Sequence, residues 1–321
     1  MQFFDIDLEK LKRYPIAERK NKVNVLQFAP SRRQLTDQEK KGGILDMFPD
    51  ILTAKDFKEV VKLVADAKQR GRAVIFAIGG HVIKCGMGGI IIDLMRRGIV
   101  SAVLMNGAAS IHDFEIAMIG QTSEDVQAVL SEGEFGMAEE TGKWHNEAVN
   151  MAYNENLGLG CALGKYIFDN QFQYRQHSIL NAAYELNIPV LVSVAIGDDI
   201  THMHPEASGA AIGAASHKDF LTLASILPNL ADGGAYFNIG SAVILPEVFL
   251  KAFSIVENLG YDMSGLNTIN MDMQSHYRPV TNVVKRPTLR NGKGYNLIGT
   301  HEIMLPLLAS AVIEELEKYY E

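Results

Sequence analysis

The sequence predicts an α/β fold: a mainly parallel, doubly wound sheet with helices on both faces. Three features lead to it. Continuous apolar runs of strand length recur, as at residues 73–78 and 100–105, and such runs mark strands buried on both faces. Each run ends abruptly in glycine or a small polar residue. Helix-like stretches separate the runs, and strands alternating with helices imply parallel pairing through crossover connections.

The elements follow in order. Residues 1–45 are polar and rich in basic groups, with Ser31-Arg32-Arg33 and Lys40-Lys41 among them. They read as an N-terminal arm wrapping the domain or a neighbouring subunit, or equally as a mobile tail, and residues 46–321 as a single nucleotide-binding-like α/β domain. Thr53 with Asp56 makes a capping-box start, and Phe57, Val60, Val61, Val64 and Ala67 then share one helical face. Residues 73–78 form a strand closed by Gly79-Gly80. A second glycine-rich bend at 86–89 leads into a helix through Arg97. Residues 100–105 are the next strand, ended by Asn106-Gly107, with a helix over 108–119. Residues 72–120 therefore make a strand–loop–helix pair of the nucleotide-binding type. Later come a helix at 178–186, a strand at 189–195 and a small-residue helix at 207–227 stopped by Pro228. Strands at 235–238 and 266–271 flank a helix at 245–259, and a helix at 301–320 closes the chain.

Composition narrows the partners. The net charge of −8 gives no general attraction for nucleic acid or anionic lipid, so neither is expected. Two cysteines, Cys85 and Cys161, are too few for a disulfide framework. No apolar run reaches membrane-spanning length, and the N-terminus lacks a secretory pattern. A cytoplasmic location is expected.

Ligands of an open parallel sheet bind beyond the carboxyl ends of its strands. The loops expected there are Gly79-Gly80-His81, Asn106-Gly107-Ala108-Ala109, Gly197-Asp198-Asp199, Ile239-Gly240-Ser241 and 267–272. Glycine admits close approach of a phosphate, and a helix N-terminus offers it free N–H groups. Neither G-x-G-x-x-G nor a P-loop occurs, so the loops mark a site without naming a dinucleotide. His112-Asp113 opens a helix where the pair can bind a ribose or move a proton; a solvated helix start is the plainer alternative. Asp198, Asp199, His202 and His204 put two carboxylates and two imidazoles within seven residues. They suit a cationic substrate, a divalent metal held by Asp198, His202 and His204, or a merely polar loop. Glu132, Glu134, Glu139 and Glu140 precede the only tryptophan, Trp144. That stretch reads as a lid or a solvated acidic face, with Trp144 as an aromatic wall for an alkyl ammonium.

The order of these loops resembles the deoxyhypusine synthase family. Residues 75–86 are similar to its T-S-N-L-I-S-S-G stretch, and residues 101–113 to S-A-L-V-x-T-A-G-G-V-E-E-D. Residues 187–198 are similar to N-I-P-V-x-x-P-A-x-x-D-G, residues 238–247 lie at its G-G-G-V-V-K-H-H, and Asn267-Thr268 matches its N-T. The likeness runs in order over roughly residues 55–290. It implies an NAD-binding α/β fold, a homotetramer or dimer, and aminoalkyl transfer from a polyamine or other small amine. It implies NAD contact from Gly79, Gly80, His81, Asn106, Gly107, Ala108, His112, Asp113, Gly240, Ser241 and Asn267, with Asp198, Asp199 and Asp272 facing the amine.

The sequence also departs from that family. Its nucleophilic lysine lies in W-G-K, whereas no tryptophan follows Trp144 here, and Lys285 is the nearest counterpart. Its histidine pair falls on Pro246 and Glu247, its acidic pair on Ile111 and His112, and its T-S-N on Gly79-Gly80-His81. The fold is therefore carried by more residues than the reaction, and deoxyhypusine synthesis itself is not expected. The expected enzyme forms an imine at Lys285 and moves a proton through His112 or Glu247. A metal-dependent hydrolase using residues 198–204, and a non-catalytic binding protein of the same fold, are the alternatives.

Overall fold

The computed structural model describes residues 8–19, 25–29 and 43–319. The basic clusters at 31–33 and 40–41 lie outside the described residues. Chain contacts define two compact units, Met1–Lys55 and Asp56–Glu321. The described part of the first consists mainly of 3-10 turns, Leu8–Lys10, Ile16–Glu18, Val25–Gln27 and Ile44–Met47.

The second unit is built on six strands: β1 (Val74–Ile78), β2 (Ala102–Asn106), β3 (Val190–Ser193), β4 (Ala235–Ile239), β5 (Asn267–Asp272) and β6 (Lys293–Ile298). All pair in parallel in the order β3-β2-β1-β4-β5-β6. The chain winds from β1 outward to β3, then returns to lay β4 against the other side of β1. That reversal is a topological switch point, where such sheets open a crevice. Every residue of β1 and β4 is buried, which explains the continuous apolar run of β1 and the mainly apolar one of β4. Tyr236 stacks on Phe249 at 3.8 Å and Phe76 meets Phe237 at 4.8 Å, placing the aromatic part of the core around the central strands.

The helices are α1 (Leu52–Gln69), α2 (Gly80–Lys84), α3 (Gly88–Arg96), α4 (Gly107–Ile119), α5 (Val126–Val129), α6 (Glu139–Asn154), α7 (Leu159–Asp169), α8 (Ile179–Leu186), α9 (Gly209–Ile226), α10 (Ile244–Asn258), α11 (Tyr277–Pro279, continued by a π-helical turn Val280–Lys285) and α12 (His301–Glu317). Local chemistry sets their ends. The Asn106 side chain accepts from Ala109 N at 2.9 Å to start α4, and Gly120 in the left-handed region ends it. Ser178 and Ser208 cap α8 and α9 in the same way. Asp219 of α9 is buried and accepts from Gly160 N at 2.9 Å and Val192 N at 2.7 Å, tying α7 and β3 to α9. Among the described residues no helix is long and apolar enough to cross a membrane.

Three stretches differ from the sequence expectation. The acidic segment expected as a lid becomes, from Glu139 on, the first turns of α6, where carboxylates favour the helix dipole. The strand at residues 293–298 was not expected, because β6 is a half-exposed edge strand with polar residues. The stretch 267–272, expected both within a strand at 266–271 and as a ligand loop, is strand β5, so the strand expectation holds and the loop one does not. Its central asparagine is satisfied within the sheet. Asn238 Nδ2 donates to Asn270 Oδ1 and Asn270 Nδ2 to Asn296 Oδ1, each at 2.8 Å, along the register that aligns these three. A buried polar row bonded in this way favours a single register, although Asn238 Oδ1 at its start has no partner.

Candidate functional site

The switch point is closed by the chain itself. Gly79 N donates to Ile239 O at 2.9 Å, and an ideal Cβ on Gly79 would stand 2.1 Å from Gly240 O. Only glycine allows the ends of β1 and β4 to approach so closely. The His301 ring covers Gly240, 2.8 Å from the position of an ideal Cβ there. His301 is fully buried and lies edge-on to His81 at 5.6 Å. Burial pulls its imidazole below the ordinary value, with Asp272 opposing. His81 Nε2 lies 3.2 Å from Cys85 Sγ, and burial, then Glu302, push that thiol up.

The open space lies to one side, over the ends of β2 and β3. A pocket of about 540 Å³ is framed by α4, the 121–136 segment and the loop at 198–200. Its size suits a small ligand. Ile111, Ile119, Val126, Phe135 and Ile200 give it apolar walls, while Lys84, His112, Glu115, Asp198 and Asp199 supply charge and hydrogen bonding.

Asp199 is the key carboxylate. It is 7% exposed, and its Oδ2 accepts no hydrogen bond. It packs against the first residue of α4, where an ideal Cβ on Gly107 would fall 1.9 Å from Oδ2. Burial, reinforced by the neighbouring Asp198, pushes its carboxyl up to about 7. His202 Nε2 is 3.9 Å away, and its imidazole is pulled down by burial. Asp198 is exposed on the same pocket.

Glu115, unforeseen in the sequence, lines the same pocket from α4. Thr122 Oγ1 donates to its Oε2 at 2.5 Å and Thr141 Oγ1 to its Oε1 at 3.0 Å, while His112 Nδ1 meets Thr122 Oγ1 at 2.7 Å. Burial works to raise the Glu115 carboxyl, but the hydrogen bonds of His112, Thr122 and Thr141 outweigh it and hold the group below its ordinary value. Beneath this wall His145 is buried against Phe114 at 5.6 Å, with both ring nitrogens unpartnered. Burial, then His202, pull it down to about 3, so it is neutral.

The predicted residues divide by place. Gly80, Ala108 and His112 stand together: an ideal Cβ on Gly80 would lie 3.1 Å from Ala108 Cβ and 3.2 Å from His112 Cδ2. Asn106 and Gly107 open α4 beside them. Asp113 faces elsewhere; its oxygens accept from Ser178 Oγ at 2.6 Å, Ile179 N at 2.9 Å and Leu180 N at 3.0 Å, capping α8. Burial raises it to about 6 against those bonds. Asn267 begins β5, at the amino end of the sheet, and bonds Gly234 O. Asp272 ends β5 on the correct side, its Oδ1 accepting from Met273 N at 2.7 Å. Trp144 packs on Phe172 at 5.6 Å and does not line the pocket.

Neither expected catalytic partner of His112 reaches the pocket. Lys285 is exposed on the π-helical turn. That turn runs beside the amino halves of β5 and β6: Val283 O accepts from Thr268 Oγ1, and Val284 O lies against Gly294. Glu247 is engaged by Lys251, by Arg278 at 3.4 Å and by Asn282 Nδ2 at 2.8 Å. The Lys251 bond, the largest influence, lowers its carboxyl. The metal alternative also loses its geometry. His204 Nε2 is committed to Gly136 O at 2.8 Å, and among the described residues no group of three or more His, Cys, Asp or Glu is placed to hold a metal.

For NAD the fit is uneven. Gly80, Ala108 and His112 share one wall of the pocket. Gly79, Gly240 and Ser241 form no phosphate cradle, since His301 fills the notch above Gly240. At the α4 N-terminus the Asp199 carboxylate sits where an anion would bind.

A six-stranded, all-parallel α/β sheet with its reversal at β1/β4 defines the class of protein. No family model matches the sequence, and no curated protein matches it. Solved structures share the fold. A conserved protein assigned to the LOR/SDH type from Methanococcus maripaludis S2 superposes at a TM-score of 0.51 with 16% identity, over 85% of this chain and 72% of that one. AgrE, in its ternary complex with ornithine and NAD+, gives 0.53 with 16% identity, over 83% of this chain. The chain spans about a third of AgrE, 34% of its length. A protein assigned as a deoxyhypusine synthase from Entamoeba histolytica gives 0.50 with 10% identity, over 81% and 87% of the two chains. The fold is thus the deoxyhypusine-synthase-like one that the loop order suggested.

Proposed function

We propose that this chain is an enzyme that takes a small amine into the pocket beside α4, with NAD as its co-reactant. One observation carries the reading: Asp199 lines the pocket and is buried, with no hydrogen-bond partner for its Oδ2. A carboxylate in that state gains most from a ligand that brings a positive, hydrogen-bond-donating group. Exposed Asp198 extends the acidic wall. Lys84, exposed on the same pocket, favours an amine that also carries an anionic group over a polyamine with cations at both ends. The fold supports NAD, because AgrE shares it and has been seen with ornithine and NAD+. Aminoalkyl transfer through Lys285 lacks support, since that lysine lies away from the pocket.

Calorimetric titration with ornithine, putrescine and spermidine, each with and without NAD, tests the reading. Binding of an amine, weakened at least tenfold in Asp199→Asn, is expected. No heat with any amine up to millimolar concentration would remove it, and no heat with NAD would remove the cofactor part alone. The chain is further proposed to form a homo-oligomer through its N-terminal arm, where Leu11, Tyr14 and Ile16 are exposed apolar side chains. A monomer by light scattering would exclude that.

A further inference from the structure

The Thr122 hydroxyl has a single proton, and Glu115 Oε2 at 2.5 Å takes it. An ionised carboxylate can only accept. Thr122 Oγ1 therefore has only lone pairs to offer His112 Nδ1 at 2.7 Å, and Nδ1 must carry the hydrogen. Thr141 Oγ1 donates to the other Glu115 oxygen at 3.0 Å, holding the carboxylate in place from α6. His112 and Glu115 lie three residues apart on α4, with side chains 19% and 15% exposed, so the chain of bonds is largely shielded from water.

We propose that Glu115 and Thr122 are positioning residues that fix His112 as the Nδ1–H tautomer, leaving the Nε2 lone pair as the pocket's proton acceptor. This rests on the reading of the pocket as an amine site. His112 lines the pocket, its Cδ2 lying 3.2 Å from where a Cβ on Gly80, the first residue of α2, would stand, and Nε2 has no hydrogen-bond partner among the described residues. The step is a simple transfer. The N–H bond of the substrate ammonium breaks, its proton passes to Nε2, and the bonding pair stays on the now neutral amine nitrogen. The imidazolium formed is stabilised through Thr122 by the Glu115 carboxylate, which remains ionised. The other charged groups on this pocket are Lys84 from α2, Glu124 from the 121–136 segment, and Asp198 and Asp199 from the loop after β3. Glu124 is already engaged, accepting from Gly136 N at 2.9 Å.

Imidazole nitrogen–proton correlation NMR on ¹⁵N-histidine-labelled protein at alkaline pH, with no ligand added, reads the tautomer directly. Wild-type His112 is expected as Nδ1–H. Thr122→Val removes the acceptor and should convert it mainly to Nε2–H, while Thr122→Ser should restore Nδ1–H. Glu115→Leu frees the Thr122 proton to turn toward Nδ1 and should also give Nε2–H; Glu115→Gln, which keeps an acceptor, should not. A wild-type Nε2–H tautomer, or a Thr122→Val spectrum unchanged from wild type, overturns the proposal. Because the readout needs neither amine nor NAD, failure of ligand binding would remove the proton-transfer role but leave the tautomer standing, and failure of the tautomer leaves the amine pocket standing.

Discussion

Replacing Asp199 by Asn should stabilise the protein while weakening its ligand site. The carboxyl is pushed from 3.8 up to about 7, so between those values the folded state holds a proton that the unfolded chain has released. Stability therefore falls as pH rises through that window and is flat above it. About three pH units at 1.36 kcal/mol each give a penalty of about 4 kcal/mol at pH 8. At pH 5 less than half of it has developed. Asn has nearly the same shape and no charge to desolvate, so the variant should gain about 2–4 kcal/mol at pH 8 and about half as much at pH 5. At about 2 °C per kcal/mol for a chain of this size, the melting temperature should rise by at least about 4 °C at pH 8. Thermal melts of both proteins at the two pH values decide it. Asp113 and Asp219 are raised as well but titrate alike in both proteins, so the difference isolates Asp199. A variant less stable than wild type at both pH values, or a gain that does not change with pH, would refute the account of an unpaired buried carboxylate.

Other substitutions test the frame of the site. Gly79→Ala sets a methyl against Gly240 O, which cannot yield without moving β4; a loss of about 3 kcal/mol is expected from denaturant melts. Asp219→Ala strips two buried backbone N–H groups of their acceptor and should cost about 3 kcal/mol by the same measurement. Lys285→Ala changes an exposed side chain and should leave stability within about 0.5 kcal/mol and amine binding unaltered; loss of a borohydride-trapped adduct in this variant would restore the lysine to the chemistry.

What the sequence reveals depends on whether an element is buried on both faces. β1 and β2 are legible because every residue of β1 and the first four of β2 are buried, which forces the composition of the whole run. β6 alternates its exposure and carries Lys293 and Asn296, so nothing in its composition separates it from a loop. Direction along a strand is equally hard to read. Asn267 and Asp272 belong to one strand, yet about 16 Å of rise separates them, and only Asp272 reaches the ligand end. Helix facing was legible but easily misread. Adjacent residues on a helix diverge by about 100°, while residues three apart share a face. That rule pairs His112 with Glu115 and sends Asp113 inward to cap α8, although His112-Asp113 looks like the pair in the linear sequence. The contribution of Thr122 and Thr141 has no comparable sequence signal, because Thr122 reaches Glu115 from the irregular stretch just past α4 and Thr141 from α6, 26 residues on.

The position of the pocket follows from what fills the switch point. Doubly wound sheets open where the winding reverses, yet here His301, entering from the start of α12, lies over Gly240 and beside His81. The ligand-sized space is left over β2 and β3, where the 121–136 segment stands off from α4. If the two places are independent, His301→Ala should cost about 2–3 kcal/mol through lost packing and leave amine affinity and the His112 tautomer as in wild type, because His301 does not line the pocket. A tenfold loss of amine affinity in that variant, with the fold intact by circular dichroism, would mean that the switch point and the pocket act as one site. The roles assigned to Gly79, His81 and Gly240 would then move from scaffold to ligand contact.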